Sequence, residues 1–127
     1  MIEYLNFNAN PKNKKTTDCV IRAISVATKK DYNEVLDELI KISKKTGYHI
    51  TDKKCWEKYL ELLGFAKMKQ PKKADNTKYT IGEIDKVIGN EIALISCVHH
   101  LTIVKCKTLY DTWDCRKKSI GNYWVKR

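Results

Sequence analysis

The chain has 127 residues and a formal net charge of +10, from 25 Lys and Arg against 15 Asp and Glu. This length corresponds to one domain and 43% hydrophobic residues suffice for a core, so we expect a single domain over residues 1–127 and exclude wholesale disorder. Without a run of ~18 apolar residues or a signal-peptide pattern, and with five irregularly spaced cysteines, the sequence predicts a cytoplasmic protein with no membrane partner.

The first predicted element in chain order to carry chemistry is a helix over residues 19–29. Its apolar positions form a broad face, which is typical of a helix that is mostly buried. Three residues directly before it are candidates for its N-cap: Thr16, Thr17 and Asp18. Cys19 therefore lies in the first turn of the predicted helix.

Three further helices are expected in the first part of the chain. Asp31 and Glu34 predict a capping box for a helix that ends near Lys45. Thr51 is the expected cap of a third helix that ends before Gly64. A polar, basic loop is expected over residues 66–79, and a capping box of Thr80 and Glu83 then opens a short helix that ends near Gly89.

The second part of the chain predicts strands, because β-branched and aromatic residues alternate with short polar breaks. The four segments are residues 92–98, 101–105, 108–113 and 120–126. Helices followed by consecutive strands indicate an α+β fold, in which N-terminal helices pack on a C-terminal antiparallel sheet of about four strands.

Cys19 is a candidate nucleophile because of its predicted position in the helix. The helix dipole and the unpaired N–H groups of a first turn favour an anion, which lowers the pKa of a thiol. A free cysteine in a buried helix can equally be a small core residue, and position alone does not separate the two interpretations.

His100 and Asp111 are the candidate partners of this thiol. A hairpin turn at residues 106–107 places Asp111 opposite Thr102, whereas a turn at residues 105–106 places it opposite His100. In both registers the two side chains share one face of the sheet, within reach of a hydrogen bond. The alternative is an ordinary strand histidine and an ordinary turn aspartate.

The combination of these segments resembles the papain-like cysteine peptidase superfamily. The matching residues are Thr17-Asp18-Cys19 followed by Val-Ile-Arg-Ala-Ile, then His100-Leu-Thr, then Tyr110-Asp111-Thr112-Trp113-Asp114. The nearest likeness is to small, mostly phage and prophage proteins of uncharacterised role, related in pattern to the C39-type double-glycine leader peptidases. The resemblance implies a papain-like fold in which Cys, His and Asp follow one another in that order.

The resemblance also implies roles for single residues. Cys19 would attack a carbonyl carbon as a thiolate, and His100 would protonate the leaving group. Asp111 would orient the imidazole of His100, and Trp113 would shield that hydrogen bond from water. Asn13 stands six residues before the cysteine, where the leader peptidases carry Gln, and its amide would form the oxyanion hole together with the Cys19 N–H. Asp18 occupies the place of the Asp in the Asp-Cys pair of the leader peptidases.

Metal and nucleic-acid sites are the weaker interpretations. The spacing of Cys97, His100, Cys106 and Cys115 matches no common zinc pattern, so we predict no metal and no cofactor. The lysines are spread in small clusters, only three of the 25 basic residues are Arg, and no recognition helix or stacking platform is evident. Nucleic acid is therefore not the favoured partner, and the positive surface suits an acidic protein.

Two functions remain open at this point. The first is a papain-like cysteine hydrolase that cleaves a peptide, isopeptide or side-chain amide in a peptide or protein substrate. The second is a catalytically idle papain-like domain that binds or inhibits a host or defence protein through its basic surface. In both cases the resemblance places the protein in the cytoplasm of a bacterial host.

Overall fold

A computed structural model describes residues 1–126. The chain runs through β1 (Glu3–Asn6), α1 (Cys19–Thr28), α2 (Tyr32–Thr46), α3 (Lys53–Leu62), β2 (Phe65–Met68), a 3-10 turn (Ile81–Glu83), α4 (Asp85–Ile88), β3 (Ala93–Cys97), β4 (His100–Lys105), β5 (Thr108–Asp111) and β6 (Tyr123–Lys126). The α+β class expected from the sequence is present.

The sheet is larger than expected. It has six strands in the order β1-β5-β4-β3-β6-β2, and β1 pairs in parallel with β5, so the sheet is mixed. The prediction of about four strands in an antiparallel sheet was therefore wrong. The two added strands lie at the edges, and each has only four residues. Such short edge strands form mainly through main-chain hydrogen bonds with the neighbouring strand. Their side-chain pattern therefore gives little indication of a strand in the sequence.

Strand β2 also corrects the predicted loop at residues 66–79. Phe65–Met68 pair antiparallel with β6, so the first residues of that segment belong to the sheet.

The third helix is capped one residue later than expected. Asp52 is its N-cap, and the carboxylate of Asp52 accepts a hydrogen bond from the N–H of Lys54.

The sheet separates two hydrophobic clusters because side chains alternate along each strand. Helices α1–α3 cover one face, where Ile24, Leu39 and Leu60 are fully buried together with Leu94 of β3. The opposite face is covered by the 3-10 turn and the adjoining segments, with Ile95 of the same strand in its cluster. Helix α1 packs on β4, which brings the start of α1 close to the start of β4.

The register of the β4–β5 hairpin decides the relation between the candidate residues. Lys105 pairs with Thr108, so the turn is at residues 106–107, and both turn residues have positive φ as a type I′ turn requires. By continuation of this register, Asp111 lies opposite Thr102 and diagonal to His100. This is the first of the two registers considered from the sequence.

Within residues 1–126, no helix combines the length and the apolar character needed to cross a bilayer.

Candidate functional site

Cys19 is the first residue of α1, and its thiol lines the same cleft as the imidazole of His100, where each group shifts the pKa of the other. Burial alone would raise the pKa of this thiol. The hydrogen bond to His100, a hydrogen bond with the Leu101 main chain and the positive charges of His100 and Arg22 outweigh burial, so the pKa of Cys19 is lowered. The structure therefore favours a thiolate at this position.

His100 links the thiol to a carboxylate. The Nε2 atom of His100 lies 2.6 Å from Oδ2 of Asp111, so Nδ1 is the ring nitrogen that does not take part in this bond. Burial would lower the pKa of His100, but the hydrogen bonds to Asp111 and Cys19 and the charges of these two groups raise it to about 9. An imidazolium between a thiolate and a carboxylate is the charge state that this geometry stabilises.

Asp111 is 2% exposed and is held by hydrogen bonds from several elements. Oδ2 accepts a bond of 2.6 Å from the hydroxyl of Thr102, the cross-strand partner, and Oδ1 accepts one of 2.7 Å from the N–H of Thr112. Burial would raise the pKa of Asp111, but the bonds from His100 and Thr102 outweigh burial and lower it. The carboxyl group is therefore ionised and held in one orientation.

The unexpected strand β1 braces the main chain of this aspartate. Asn6 lies beside Asp111 in the parallel ladder, and the N–H of Phe7 donates to the carbonyl oxygen of Asp111 over 2.9 Å. The hydroxyl of Tyr4 donates to the same carbonyl oxygen over 3.2 Å. The N-terminal strand thus holds the carboxylate end of the His–Asp pair in place.

Arg22 was not singled out from the sequence, although it lies at the centre of the buried charges. Its Nη1 donates to Oδ1 of Asp111 over 3.1 Å, and its Nε donates to Oδ1 of Asp18 over 2.8 Å. The i, i+4 spacing of Asp18 and Arg22 on one helix could have indicated half of this bridge. The link to Asp111 crosses from α1 to β5 and leaves no local signal.

Asp18 is the N-cap of α1, yet its side chain caps no N–H of that helix. Besides Arg22, its carboxylate accepts a bond of 2.8 Å from the hydroxyl of Tyr32 and one of 3.1 Å from the amide of Asn10. Burial would raise the pKa of Asp18, and the bonds from Arg22, Tyr32 and Asn10 lower it. The group anchors the start of α1 to α2 and to the preceding loop.

A cleft of about 660 Å³ opens over the thiol and the imidazole. Trp113 lies on its wall, with its ring centroid 5.1 Å from that of His100, and it is 40% exposed. Trp113 therefore covers one side of His100 while one edge faces solvent. The thiol of Cys19 is half-buried and reachable from the cleft.

Asn13 lies apart from this group. It is exposed in the loop between β1 and α1, its φ is +52°, and its N–H donates to the carbonyl oxygen of Asn10. Within residues 1–126, Asn13 is not among the residues that line the cleft. The role of its amide in an oxyanion hole stays a prediction.

One group of side chains has donor atoms close enough for a metal. Ligand atoms of His100, Asp111 and Cys115 lie within 4.8 Å of one another. Both oxygens of Asp111 already accept hydrogen bonds, including one from Arg22, and a cation would have to displace them. The arrangement fits the His–Asp hydrogen bond better than it fits a metal centre.

Comparison of the chain with protein-family models, with curated proteins and with solved structures gave no match. The functional conclusion is therefore drawn from the site itself.

The Cys19–His100 pair predicts a specific pH dependence of stability. The pKa of His100 is raised to about 9, so its contribution to stability is complete below about pH 6.5 and is lost as pH rises through about 9. The pKa of Cys19 is lowered, so the folded protein holds the thiol proton less tightly than the unfolded chain does, and the contribution of Cys19 to stability grows as pH rises toward the pKa of an ordinary thiol. The two contributions therefore change in opposite directions with pH.

The Cys19→Ala variant separates the two titrations. Its His100 is still held by Asp111, so its unfolding free energy should decrease from about pH 6.5 to 8.5 more steeply than that of the wild type, in which Cys19 opposes the decrease. Urea unfolding under reducing conditions measures both curves. If the two curves run parallel, folding does not lower the pKa of Cys19.

Proposed function

We propose that this protein is a small papain-like cysteine hydrolase that cleaves an amide bond in a peptide or protein. The observation that carries the proposal is that Cys19 and His100 line one cleft and interact there, while His100 is hydrogen-bonded over 2.6 Å to the buried Asp111. The nucleophile, the base and the group that orients the base stand in the relation that covalent catalysis requires. The order of Cys, His and Asp along the chain supports the papain-like assignment.

The reaction follows from the charge state of the pair. The Sγ thiolate of Cys19 attacks the carbonyl carbon of the amide, and the proton on Nδ1 of His100 passes to the leaving amine. The resulting thioester is hydrolysed by a water that gives its proton to the same nitrogen. The N–H of Cys19, at the first position of α1, has no partner within the helix and is a donor for the oxyanion.

The lining of the cleft supports an acidic substrate. The exposed Lys53 and the aromatic rings of Trp56 and Trp113 line it, and five hydroxyl residues line it as well: Thr16, Thr17, Thr51, Ser96 and Thr112. Among residues 1–126, no aspartate or glutamate belongs to this lining. A peptide segment with a carboxylate beside an apolar side chain complements these groups.

Cleavage of a peptide library tests the proposal. Peptides derived from a bacterial lysate are incubated with the wild type and with the Cys19→Ala variant, and new termini are identified by mass spectrometry. We expect new termini with the wild type and none above background with the variant, since Cys19 supplies the nucleophile in the proposed reaction. A folded wild type that cleaves nothing, or a variant that cleaves equally well, contradicts the proposal.

The alternative is a catalytically idle domain that binds or inhibits a partner protein, and the same variant tests it. Such a domain needs the shape and charge of its surface but not the thiolate, so Cys19→Ala would keep full binding to, or inhibition of, the partner. A variant that loses both cleavage and this effect on the partner supports the hydrolase.

A further inference from the structure

Two thiols that the proposed hydrolysis does not use lie beside the His–Asp pair. Cys97 ends β3 directly opposite His100 in the antiparallel ladder, so the two side chains share one face of the sheet. Cys115 is fully buried, and its Sγ lies within 4.8 Å of a ring nitrogen of His100 and a carboxylate oxygen of Asp111. Cys115 belongs to the buried cluster on this face of the sheet, and Cys97 packs against the same cluster. Each of the two side chains also shifts the pKa of the other.

The two thiols differ in access and in reactivity. Cys97 is half-buried and lines the cleft, so a small solute can reach it, whereas Cys115 is not among the lining residues in the described part of the chain. The hydrogen bond from Cys115 and the charge of His100 outweigh burial and lower the pKa of Cys97 to about 7. The hydrogen bond with Cys97 and burial raise the pKa of Cys115. One thiol is thus an accessible nucleophile and the other a protonated neighbour in contact with it.

We propose that Cys97 and Cys115 form a peroxide-sensitive dithiol, which closes to a disulfide at the side of the His100–Asp111 pair. This assignment is independent of the hydrolase proposal, because Cys19 takes no part in it.

The two steps balance with hydrogen peroxide as the oxidant. The thiolate of Cys97 attacks one peroxide oxygen, the O–O bond breaks, and the leaving hydroxide takes up a proton to give water and a sulfenic acid. The sulfur of Cys115 then gives up its proton and attacks the sulfur of Cys97. The S–S bond forms, the S–O bond breaks, and the hydroxide and the proton give a second water. Two thiols and one peroxide become one disulfide and two waters.

The other cysteines are the competing partners. Cys19 lines the same cleft but interacts with His100, Cys106 is exposed in the β4–β5 turn, and Cys55 is buried against α2. Cys115 packs in the same cluster as Cys97, and its side chain lowers the pKa of Cys97. This packing selects the pair, although Cys19 is also a reactive thiol.

Peptide mapping tests the assignment. The reduced wild type and the Cys19→Ala variant are treated with hydrogen peroxide at pH 7, blocked with iodoacetamide and digested with trypsin. We expect in both proteins a crosslink between the peptides of residues 87–105 and 108–116 that dithiothreitol reverses. In Cys97→Ser the oxidation of Cys115 should slow at least tenfold, because the buried thiol has lost its reactive neighbour.

The matched control is Cys106→Ser, which removes an exposed thiol outside the pair and should leave the yield of the crosslink unchanged. Three outcomes overturn the assignment: a crosslink from Cys97 to Cys19, a crosslink from Cys97 to Cys106, or oxidation of Cys97 to a sulfinic acid without any crosslink.

Discussion

Replacing Asp111 by Ala should lower the free energy of unfolding by about 3–5 kcal/mol at pH 7, the cost of breaking a buried ion pair from one side. The side chain of Arg22 is 11% exposed, and without Asp111 its one remaining ion pair within residues 1–126 is the one with Asp18. His100 and Thr102 lose their acceptor at the same time. An unpaired buried donor costs more than the net value of the bond it made.

Asp114 provides the matched control for this change. It lies three residues further along the chain and forms an ion pair of 2.8 Å with Arg116, but its side chain is 41% exposed. Solvent screens such a pair, so Asp114→Ala should cost at most about 1 kcal/mol. Urea unfolding of both variants makes the comparison. Equal losses would mean that the Asp111 cluster adds nothing beyond an ordinary surface contact.

Replacing His100 by Gln should slow the alkylation of Cys19 by iodoacetamide at pH 6 on the order of tenfold. An ordinary thiol is only about 0.3% ionised at that pH, whereas the interaction with His100 lowers the pKa of Cys19 and so raises its ionised fraction. The lower intrinsic nucleophilicity of a low-pKa thiolate offsets part of the gain, which limits the effect to this size. Gln retains hydrogen-bonding capacity but cannot carry the charge.

The rate is measured for each cysteine by mass spectrometry. In the wild type we expect Cys19 to react first and Cys97 second, because Cys97 also has a lowered pKa and lines the cleft. The control is His49→Gln, an exposed histidine in the loop before α3, which should leave the rate at Cys19 within twofold. An unchanged rate in His100→Gln would show that the histidine does not activate the thiol.

The sequence predicted the parts of the site whose signals are local. Helical periodicity and the preceding polar residues placed Cys19 at the start of a helix. Period-two alternation, together with a two-residue turn, placed His100 and Asp111 on one face of a hairpin and within reach of each other. These predictions needed only neighbours along the chain or across one hairpin.

The sequence did not reveal the contacts that hold these residues. Strand β1 is short and pairs with β5 more than a hundred residues later, so its stabilisation comes from main-chain bonds that no local pattern reports. In the sequence, Arg22 is one polar residue in an otherwise apolar helix. Its guanidinium reaches Asp111 because α1 packs on the sheet in the folded protein. The packing of Cys97 and Cys115 in one cluster likewise depends on how the loop after β5 returns to the end of β3.

Length, composition, charge and local periodicity by themselves determined an α+β protein of one domain's size that is rich in lysine, because these properties depend on residue content and on neighbours along the chain. The tertiary structure decided the rest. It brought a thiol from a helix and a histidine and an aspartate from two strands to one cleft, and it buried Arg22 between two carboxylates. It also placed two further thiols, those of Cys97 and Cys115, beside the histidine and the aspartate. Burial strengthens the interactions between these charges, and only the packed chain creates that burial.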